Sequence, residues 1–323
     1  MSHVMRVYEC GGPTVLKWET VDVPAPGPGE VVVRNCAVGL NFIDIYYRTG
    51  RYKSALPFVL GSEGAGVIEA VGPDVKDFAI GDRVAYVDPI GAYAELLIRP
   101  VSRLVKVPAG IDEVQAAGMM LKGMTTEYLI RRTHKVEPGE TILVHAAAGG
   151  VGQILCQWAS RLGAIVIGTV GSRTKVALAE EAGCAHVIVT DEEDFAVRVR
   201  KITGGKGVPV VYDGIGADTF KGSLNCLSPL GLMVSFGAAS GPIPPFDPQI
   251  LLAKGSLFLT RPGLAWYIAT TDQLRESATA LFDAVGRGMV AVKVRQTHPL
   301  RDAAAAHADL EARKLTGSTV LLP

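Results

Sequence analysis

The stretch Thr141 to Gly171, TILVHAAAGGVGQILCQWASRLGAIVIGTVG, limits the fold of this chain more tightly than any other. An apolar run, Ile142 to Val144, enters a turn of small residues. A helix follows, on which Ile154, Leu155, Trp158, Ala159 and Leu162 recur at helical spacing, and a second apolar run occupies Ile165 to Val170. The pattern is strand, turn, helix, strand. Its turn carries Ala147-x-Gly149-x-x-Gly152, a dinucleotide fingerprint with alanine at the first glycine position. Small residues there let the backbone approach a pyrophosphate, whose charge then meets the free N–H groups and positive end of the helix.

The end of the second strand bears on which dinucleotide binds. A site for NAD usually offers an acid about twenty residues past the fingerprint to hold the ribose 2′-hydroxyl. This chain reads Gly168-Thr169-Val170-Gly171-Ser172-Arg173-Thr174-Lys175, without an acid; Glu180 and Glu181 come only well into the next helix. A 2′-phosphate needs donors and positive charge, which the Gly171 N–H, Ser172 and Lys175 supply, with Arg173 beside them. The pattern favours NADPH over NADH. The plainer alternative is that Ser172 is only a helix cap and Lys175 a solvated cation.

At 323 residues the chain is long enough for about two domains, each with a sizeable core. Its 32 basic and 32 acidic residues cancel, so nothing in the charge argues for nucleic acid or an anionic membrane as a partner. No uninterrupted apolar run is long enough to span a bilayer, and MSHVMRVYECGG lacks the pattern of a secretory signal, so a cytoplasmic location is expected. Cys10, Cys36, Cys156, Cys184 and Cys226 are widely spaced, with no CxxC pair or Cys/His cluster, which argues against structural zinc and a disulfide framework alike. Most are expected to be buried and inert, and the six scattered histidines to be structural.

Residues 1–125 read as short β segments cut by glycine and proline, among them Val31 to Val38, Gly66 to Val71 and Arg83 to Val87, which predicts a barrel-like β domain. From 126 to 262 the pattern changes to alternating βα units: a helix through Lys175 to Ala182, a strand His186 to Val189, a helix through Phe195, Val199 and Ile202, a strand Val208 to Tyr212, a helix near Ala217 to Cys226, and a strand Leu232 to Phe236. This rhythm predicts a doubly wound parallel sheet whose cofactor crevice is walled by Asp213-Gly214-Ile215-Gly216 and Ser235-Phe236-Gly237. Thr190-Asp191-Glu192-Glu193 has the form of a capping box opening a helix. The proline-dense Gly241 to Pro248 reads as a semi-rigid loop, with a polyproline recognition motif as the lesser alternative. Ser256 to Arg261 reads as a strand at a sheet edge, which pairing with a second subunit would cover. Helices near Asp272 to Val285 and Arg301 to Arg313 and a strand Ser318 to Leu322 are expected to return to the first domain and complete it.

Hydride transfer asks a protein mainly to position two reactants in a partly dry cleft. The polar groups suited to this are densest in VGLNFIDIYYR, Val38 to Arg48, followed by Tyr52. A helix from Phe42 puts Asp44 and Arg48 on one face. Asn41 is either its N-cap or a functional side chain; Tyr46 and Tyr52 are either packing aromatics or phenols that orient a carbonyl and protonate a developing oxyanion.

Taken together, AAAGGVG, NFIDIYYRTGRY, LGSEGAG, LKGMT at Leu121 to Thr125, YDGIG, VSFG and TRP at Thr260 to Pro262 resemble the zinc-free NADPH:quinone oxidoreductases of the medium-chain dehydrogenase/reductase superfamily, the zeta-crystallin-like branch. The motifs run nearly end to end and in family order. The resemblance implies a GroES-like catalytic domain, 1–125 completed by 263–323; a Rossmann NADPH-binding domain, 126–262; and a homodimer joined through Rossmann edge strands near Ser256 to Arg261. It would put Asn41 and Thr125 beside the nicotinamide half of the cofactor, and Gly149, Gly150 and Val151, with Ala147 in the same turn, at the pyrophosphate. Gly171, Ser172 and Lys175 would take the 2′-phosphate. Gly216, Phe236 and Arg261 would line the rest of the groove, and Tyr46 and Tyr52 would face the acceptor.

Two departures stand out. Related enzymes often have a tyrosine within the segment that is Val189-Thr190-Asp191 here; Thr190 with a nearby acid implies weaker NADPH affinity, or a smaller margin over NADH. Zinc-dependent relatives carry a ligand histidine where this chain has Ser62 beside Glu63, and a ligand cysteine near Asn41. Without those ligands alcohol oxidation is disfavoured, while electron-poor quinones need less activation. The expected activity is therefore NADPH-dependent quinone reduction without metal or flavin. Its nearest alternative is reduction of an alkenal or enone double bond, with Asn41 or a tyrosine stabilising the enolate. A non-catalytic NADPH-binding or RNA-binding protein of the same fold is the rival from another class, disfavoured by zero net charge and the lack of a basic cluster interleaved with aromatics.

Overall fold

Six parallel strands form the sheet of one half of the chain, in the order His186–Val189, Ile165–Val170, Thr141–Val144, Val208–Asp213, Leu227–Ser235, Phe258–Thr260. In chain order this is 3-2-1-4-5-6, the doubly wound arrangement expected from the βα rhythm. The computed structural model describes residues 1–88 and 90–323, and the chain divides into two compact units: Met1–Met124 with Ile268–Phe282 and Val292–Pro323, and Thr125–Tyr267 with Asp283–Ala291.

The second unit holds the parallel sheet. Its apolar strands feed a core of Leu143, Ile167, Ile188, Val211 and Met233, closed on one side by Val199, Phe220 and Leu224 from helices. The helix Gly150–Arg161 buries Ile154, Leu155, Trp158 and Ala159, the stripe read from the sequence. The order of strand addition reverses at Thr141–Val144, with Ile165–Val170 laid on one side of it and Val208–Asp213 on the other, so the crevice at the carboxyl ends of these parallel strands is where a dinucleotide binds in this topology. The short strand Phe258–Thr260 lies at the sheet edge, and Gly241 to Pro248 is an irregular loop.

The helix after the third strand corrects the sequence reading. It begins at Phe195, capped by Asp194, whose carboxylate accepts from the N–H groups of Ala196 and Val197. Thr190 does not cap it: its hydroxyl donates to the Val170 carbonyl at 3.3 Å, and Asp191 to Glu193 make a turn. Asp194 wins because its carboxylate reaches two free N–H groups while the chain is still turning out of the strand.

The first unit carries two sheets. The larger runs Val294–Pro299, Ser318–Leu322, Glu30–Gly39, Glu63–Val71, Arg83–Val87, Leu104–Lys106, with Leu96–Pro100 also paired to Glu30–Gly39. The smaller is Leu16–Val21, Ser2–Val7, Phe58–Val59. Val4, Val7, Val31, Val33, Ile68, Val84 and Leu104 face a common core, which Leu300, Ala303, Ala306 and Leu321 from the carboxyl-terminal segment join. The tail thus supplies a strand pair and core side chains to this unit.

Gly152 is where the fingerprint turn is tightest. A Cβ there would sit 2.1 Å from the Ala146 carbonyl oxygen and 2.9 Å from Ala147 Cα, both backbone that cannot swing aside. Gly171, by contrast, has nothing within 4 Å of such an atom. Gly152→Ala is expected to lower unfolding free energy by about 1–3 kcal/mol, whereas Gly171→Ala changes it by less than about 0.5 kcal/mol; chemical denaturation of both variants checks the contrast.

Candidate functional site

In the second unit the site is built on the turn from the central strand. His145 continues the strand direction, its N–H donating to the Tyr212 carbonyl at 3.0 Å, and the chain then turns through Ala146 in the left-handed region at φ 52°. Ala147 is accommodated at the first glycine position because Gly168 lies opposite it: a Cβ on Gly168 would come within 2.8 Å of the Ala147 methyl. Gly149 occupies the N-cap of the helix Gly150–Arg161 with no side chain bonded across that end, so the first-turn N–H groups of Gly150 and Val151 stay available to an anion.

The neighbouring loops carry the other residues that the sequence reading expected at the cofactor. Gly171 opens the loop after Ile165–Val170. Ser172 stands at the N-cap of the short turn Arg173–Lys175, yet makes no cap bond; its hydroxyl meets the Thr174 hydroxyl at 2.8 Å. The helix-cap alternative is thus met in position only. Arg173 is engaged by Glu192 through both carboxylate oxygens, Nε donating at 2.9 Å and Nη2 to the second oxygen. Gly216, at φ 95°, packs with its would-be Cβ 2.5 Å from the Gly241 carbonyl oxygen. Arg261 Nη1 donates to the Phe236 carbonyl at 2.9 Å, and the Phe236 ring covers Gly214. Thr125 is buried in the helix Glu113–Tyr128.

Beneath these loops runs a buried polar chain. His145 meets the Thr169 hydroxyl through Nδ1 and the Ser223 hydroxyl through Nε2, both at 2.9 Å. Ser223 and Thr219 donate to one oxygen of Asp213, and the N–H groups of Ile215 and Gly216 to the other. Burial keeps the imidazole below its ordinary pKa, against the opposing pull of the Asp213 charge. His145 therefore acts as a neutral tie that joins the fingerprint strand to the Gly214–Gly216 loop.

In the first unit, Asn41 precedes the helix Phe42–Arg48, and its N–H donates to the Asp44 carboxylate at 2.9 Å. Its side-chain amide turns elsewhere, donating to Glu63 at 2.8 Å rather than toward a tyrosine. Glu63 is fully buried and also accepts from Lys122 Nζ and the Leu121 N–H, both at 2.7 Å. The N-cap alternative for Asn41 is met in position, its backbone N–H serving the helix start, while its amide belongs to a buried ion pair. Tyr46 and Tyr52 are brought together, rings edge-on at 5.3 Å, with Arg51 over the Tyr46 face and Tyr47 against Tyr52 at 5.5 Å. Tyr46 is buried and Tyr52 half-buried.

Asp44 and Arg48 are both fully buried on one helix face, joined through other side chains. Arg48 donates to His307 Nδ1 at 3.0 Å and to Glu311 at 2.6 Å; His307 Nε2 meets the Tyr93 hydroxyl at 3.1 Å; and Tyr93 donates to Asp44 Oδ2 at 3.2 Å. Arg48 has only protons to offer, so His307 accepts at Nδ1, donates from Nε2, and stays neutral. Ser62 donates to the other Asp44 oxygen at 2.6 Å. Burial pushes Asp44 up to about 7 despite the bonds from Ser62 and Asn41, with the Glu63 charge adding to the rise. Burial and the Arg48 charge push His307 down to about 3.

Sequence reasoning named Glu63 and, within LKGMT, Lys122 without a role, expected His307 to be structural with the other histidines, and missed Tyr93. An acid within LGSEGAG and a lysine within MMLKGM, both in otherwise small or apolar surroundings, are opposite charges that need partners, and this was a usable signal. Nothing in the sequence couples Tyr93 to a histidine 214 positions away.

The donor set does not suit zinc. Among the described residues no group of three or more His, Cys, Asp or Glu side chains is placed to hold a metal ion, and Ser62 and Asn41 offer a hydroxyl and an amide already committed to carboxylates. The second unit does fit a dinucleotide, through its uncapped helix end and the open space at Gly171.

Comparison with known proteins finds two family models along the chain. Residues 27–138 match the family model of the alcohol dehydrogenase GroES-like domain, and residues 150–286 that of zinc-binding dehydrogenases. A quinone oxidoreductase of Pseudomonas aeruginosa is 52% identical over 97% of both chains, and a 2-haloacrylate reductase of a Burkholderia species 48% identical over 98% of both. The structure of Escherichia coli quinone oxidoreductase complexed with NADPH superposes with a TM-score of 0.97 at 45% identity, covering 99% of this chain and 100% of that one.

The opposed shifts of Asp44 and His307 set a pH prediction. His307, lowered from 6.5 to about 3, contributes stability that is complete above pH 6.5 and is lost as pH falls toward 3. Asp44, raised from 3.8 to about 7, contributes stability that is complete below pH 3.8 and is lost as pH rises through 7. Between about pH 4 and 6.5 the two slopes, each about 1.4 kcal/mol per pH unit, offset. Asp44→Asn removes one of them, so its unfolding free energy should fall on acidification more steeply than the parent's by about 1.4 kcal/mol per pH unit. Urea titrations from pH 6.5 to 4 measure this; parallel slopes would refute the assignment.

Proposed function

The chain belongs to the quinone oxidoreductase family of the medium-chain dehydrogenase/reductase superfamily, and from that premise we propose that it is an NADPH-dependent quinone reductase that works by direct hydride transfer without metal or flavin. We assign catalysis to the GroES-like unit and NADPH binding to the Rossmann unit. The observation that carries this reading is the fingerprint crevice, with its uncapped helix end, together with the loop Gly171 to Lys175, which contains no acid and to whose Gly171, Ser172 and Lys175 we assign the 2′-phosphate.

When bound, NADPH supplies the hydride that an electron-poor acceptor takes up. The N–H groups of Gly150 and Val151 hold the pyrophosphate, Ala147 and Gly149 keep the turn small enough to admit it, and Gly216, Phe236 and Arg261 line the groove. Thr125 and Asn41 serve the nicotinamide, and the Glu63–Lys122 pair fixes the Asn41 amide. Tyr46 and Tyr52 orient the acceptor and protonate the hydroquinone oxygen; Tyr52, half-buried beside two other phenols, is the better placed of the two to exchange a proton with water.

Likeness to a 2-haloacrylate reductase supports a second reading, reduction of an activated carbon–carbon double bond by the same hydride. A panel of acceptors separates them. Purified, chelator-treated protein should oxidise NADPH with small quinones, and more efficiently than NADH. Turnover confined to 2-haloacrylate or to α,β-unsaturated aldehydes and ketones moves the function to double-bond reduction; no turnover with any acceptor leaves a non-catalytic NADPH-binding protein.

We extend the reading to a cytoplasmic homodimer. All five cysteines are free, as a reducing compartment allows. The edge strand Phe258–Thr260 exposes Phe258, and Leu230, Leu252 and Trp266 from neighbouring segments are exposed as well. Unpaired edge backbone with exposed apolar side chains suits symmetric strand pairing. Sedimentation should give a dimer for the parent and a monomer for Phe258→Glu; a parent that sediments as a monomer refutes it.

A further inference from the structure

Resting on the NADPH reading above, we propose that Glu192 is a specificity-determining residue: paired with Arg173, it competes with a 2′-phosphate for that guanidinium and so narrows the preference for NADPH over NADH. The strands Ile165–Val170 and His186–Val189 are parallel neighbours with Val170 paired to Val189, so the loops that follow them leave the same end of the sheet. Arg173 lies three residues past one strand end and Glu192 three past the other. Both carboxylate oxygens engage the guanidinium, a two-point contact that a phosphate also makes.

The pair stands where a ligand reaches it. Its side chains are 77% and 43% exposed, so the bond costs little to exchange for another anion. The Arg173 charge is thereby balanced inside the protein. Asp191 and Glu193 flank Glu192, and Thr190 carries no charge, so the loop facing the turn presents acids and no cation. A 2′-phosphate entering beside Gly171 and Ser172 therefore gains Arg173 only by displacing Glu192. A 2′-hydroxyl has no such contest to lose. The acid absent from the first strand end is in this way returned by the second.

The test is direct binding, by calorimetry, of 2′,5′-ADP and 5′-AMP, which differ only in the phosphate concerned. Glu192→Gln should tighten 2′,5′-ADP about fivefold at low ionic strength and 5′-AMP less than about twofold, with the gain shrinking as salt screens the charges. Arg173→Ala should cost the parent less than about twofold, because its guanidinium is already engaged, yet erase the gain in the Glu192→Gln background. Glu192→Gln that binds 2′,5′-ADP as the parent does, or that tightens both ligands equally, overturns the proposal while the NADPH reading stands. If instead the parent binds the two ligands alike and Lys175→Ala changes neither, the NADPH reading fails and the proposal with it.

Discussion

The approach of the helix Gly150–Arg161 to the carbonyl of Ala146 is the contact on which the rest of the cofactor-binding unit depends. It leaves no room for a side chain at Gly152, and it sets the helix end directly over the central strand. Every donor offered to a pyrophosphate follows from that placement, because the free N–H groups of a first turn point along the helix axis. The cost is paid locally by Ala146, held at positive φ, and is offset by the hydrogen bond from the Ala147 N–H to the Thr169 carbonyl. His145, tied to Thr169 and Ser223, holds the same strand end from below. The turn is thus fixed on both faces before any ligand arrives.

The other unit meets a different constraint, the burial of charge. Glu63 is inaccessible to water, and its two oxygens are satisfied by a lysine, an amide side chain and a backbone N–H. Removing any one of these partners would leave part of a buried carboxylate unpaired, which costs more than the bond itself was worth. Asp44, also fully buried, accepts from the neutral donors Ser62, Tyr93 and the Asn41 N–H, and burial pushes its carboxyl up to about 7 although the Lys122 charge pulls the other way.

What could be read from the sequence follows the range of the interactions. The sheet, the fingerprint helix and the edge strand Phe258–Thr260 rest on local periodicity and turn chemistry, and they lie where the residues placed them. The helix beginning at Phe195 was misplaced at its start because four consecutive acidic residues, Asp191 to Asp194, offer competing caps, and only the geometry of the strand exit selects the last. The ties of Arg48 to His307 and of Tyr93 to Asp44 span large stretches of chain and leave no local trace. The Arg173–Glu192 pair falls between these cases. Each residue was conspicuous in the sequence, but the pairing depends on the register of two neighbouring strands.

A donor set that does not suit zinc becomes intelligible through hydrogen bonding. Serine and asparagine at buried positions need partners as much as metal ligands need a metal. Here Ser62 donates to Asp44 and Asn41 to Glu63, so each of the two polar positions is closed by a carboxylate. The carboxylates are in turn satisfied from several sides, Asp44 by Tyr93 and the Asn41 N–H, Glu63 by Lys122 and the Leu121 N–H. The result is a rigid, self-satisfied polar cluster in which the neighbouring helix Phe42–Arg48 is fixed at both ends, by Asp44 near its start and by Arg48 at its close. Tyr46 lies between those two anchors on the same helix, with Tyr52 bonded to its backbone at 2.9 Å, so the phenols inherit the rigidity of the cluster beneath them.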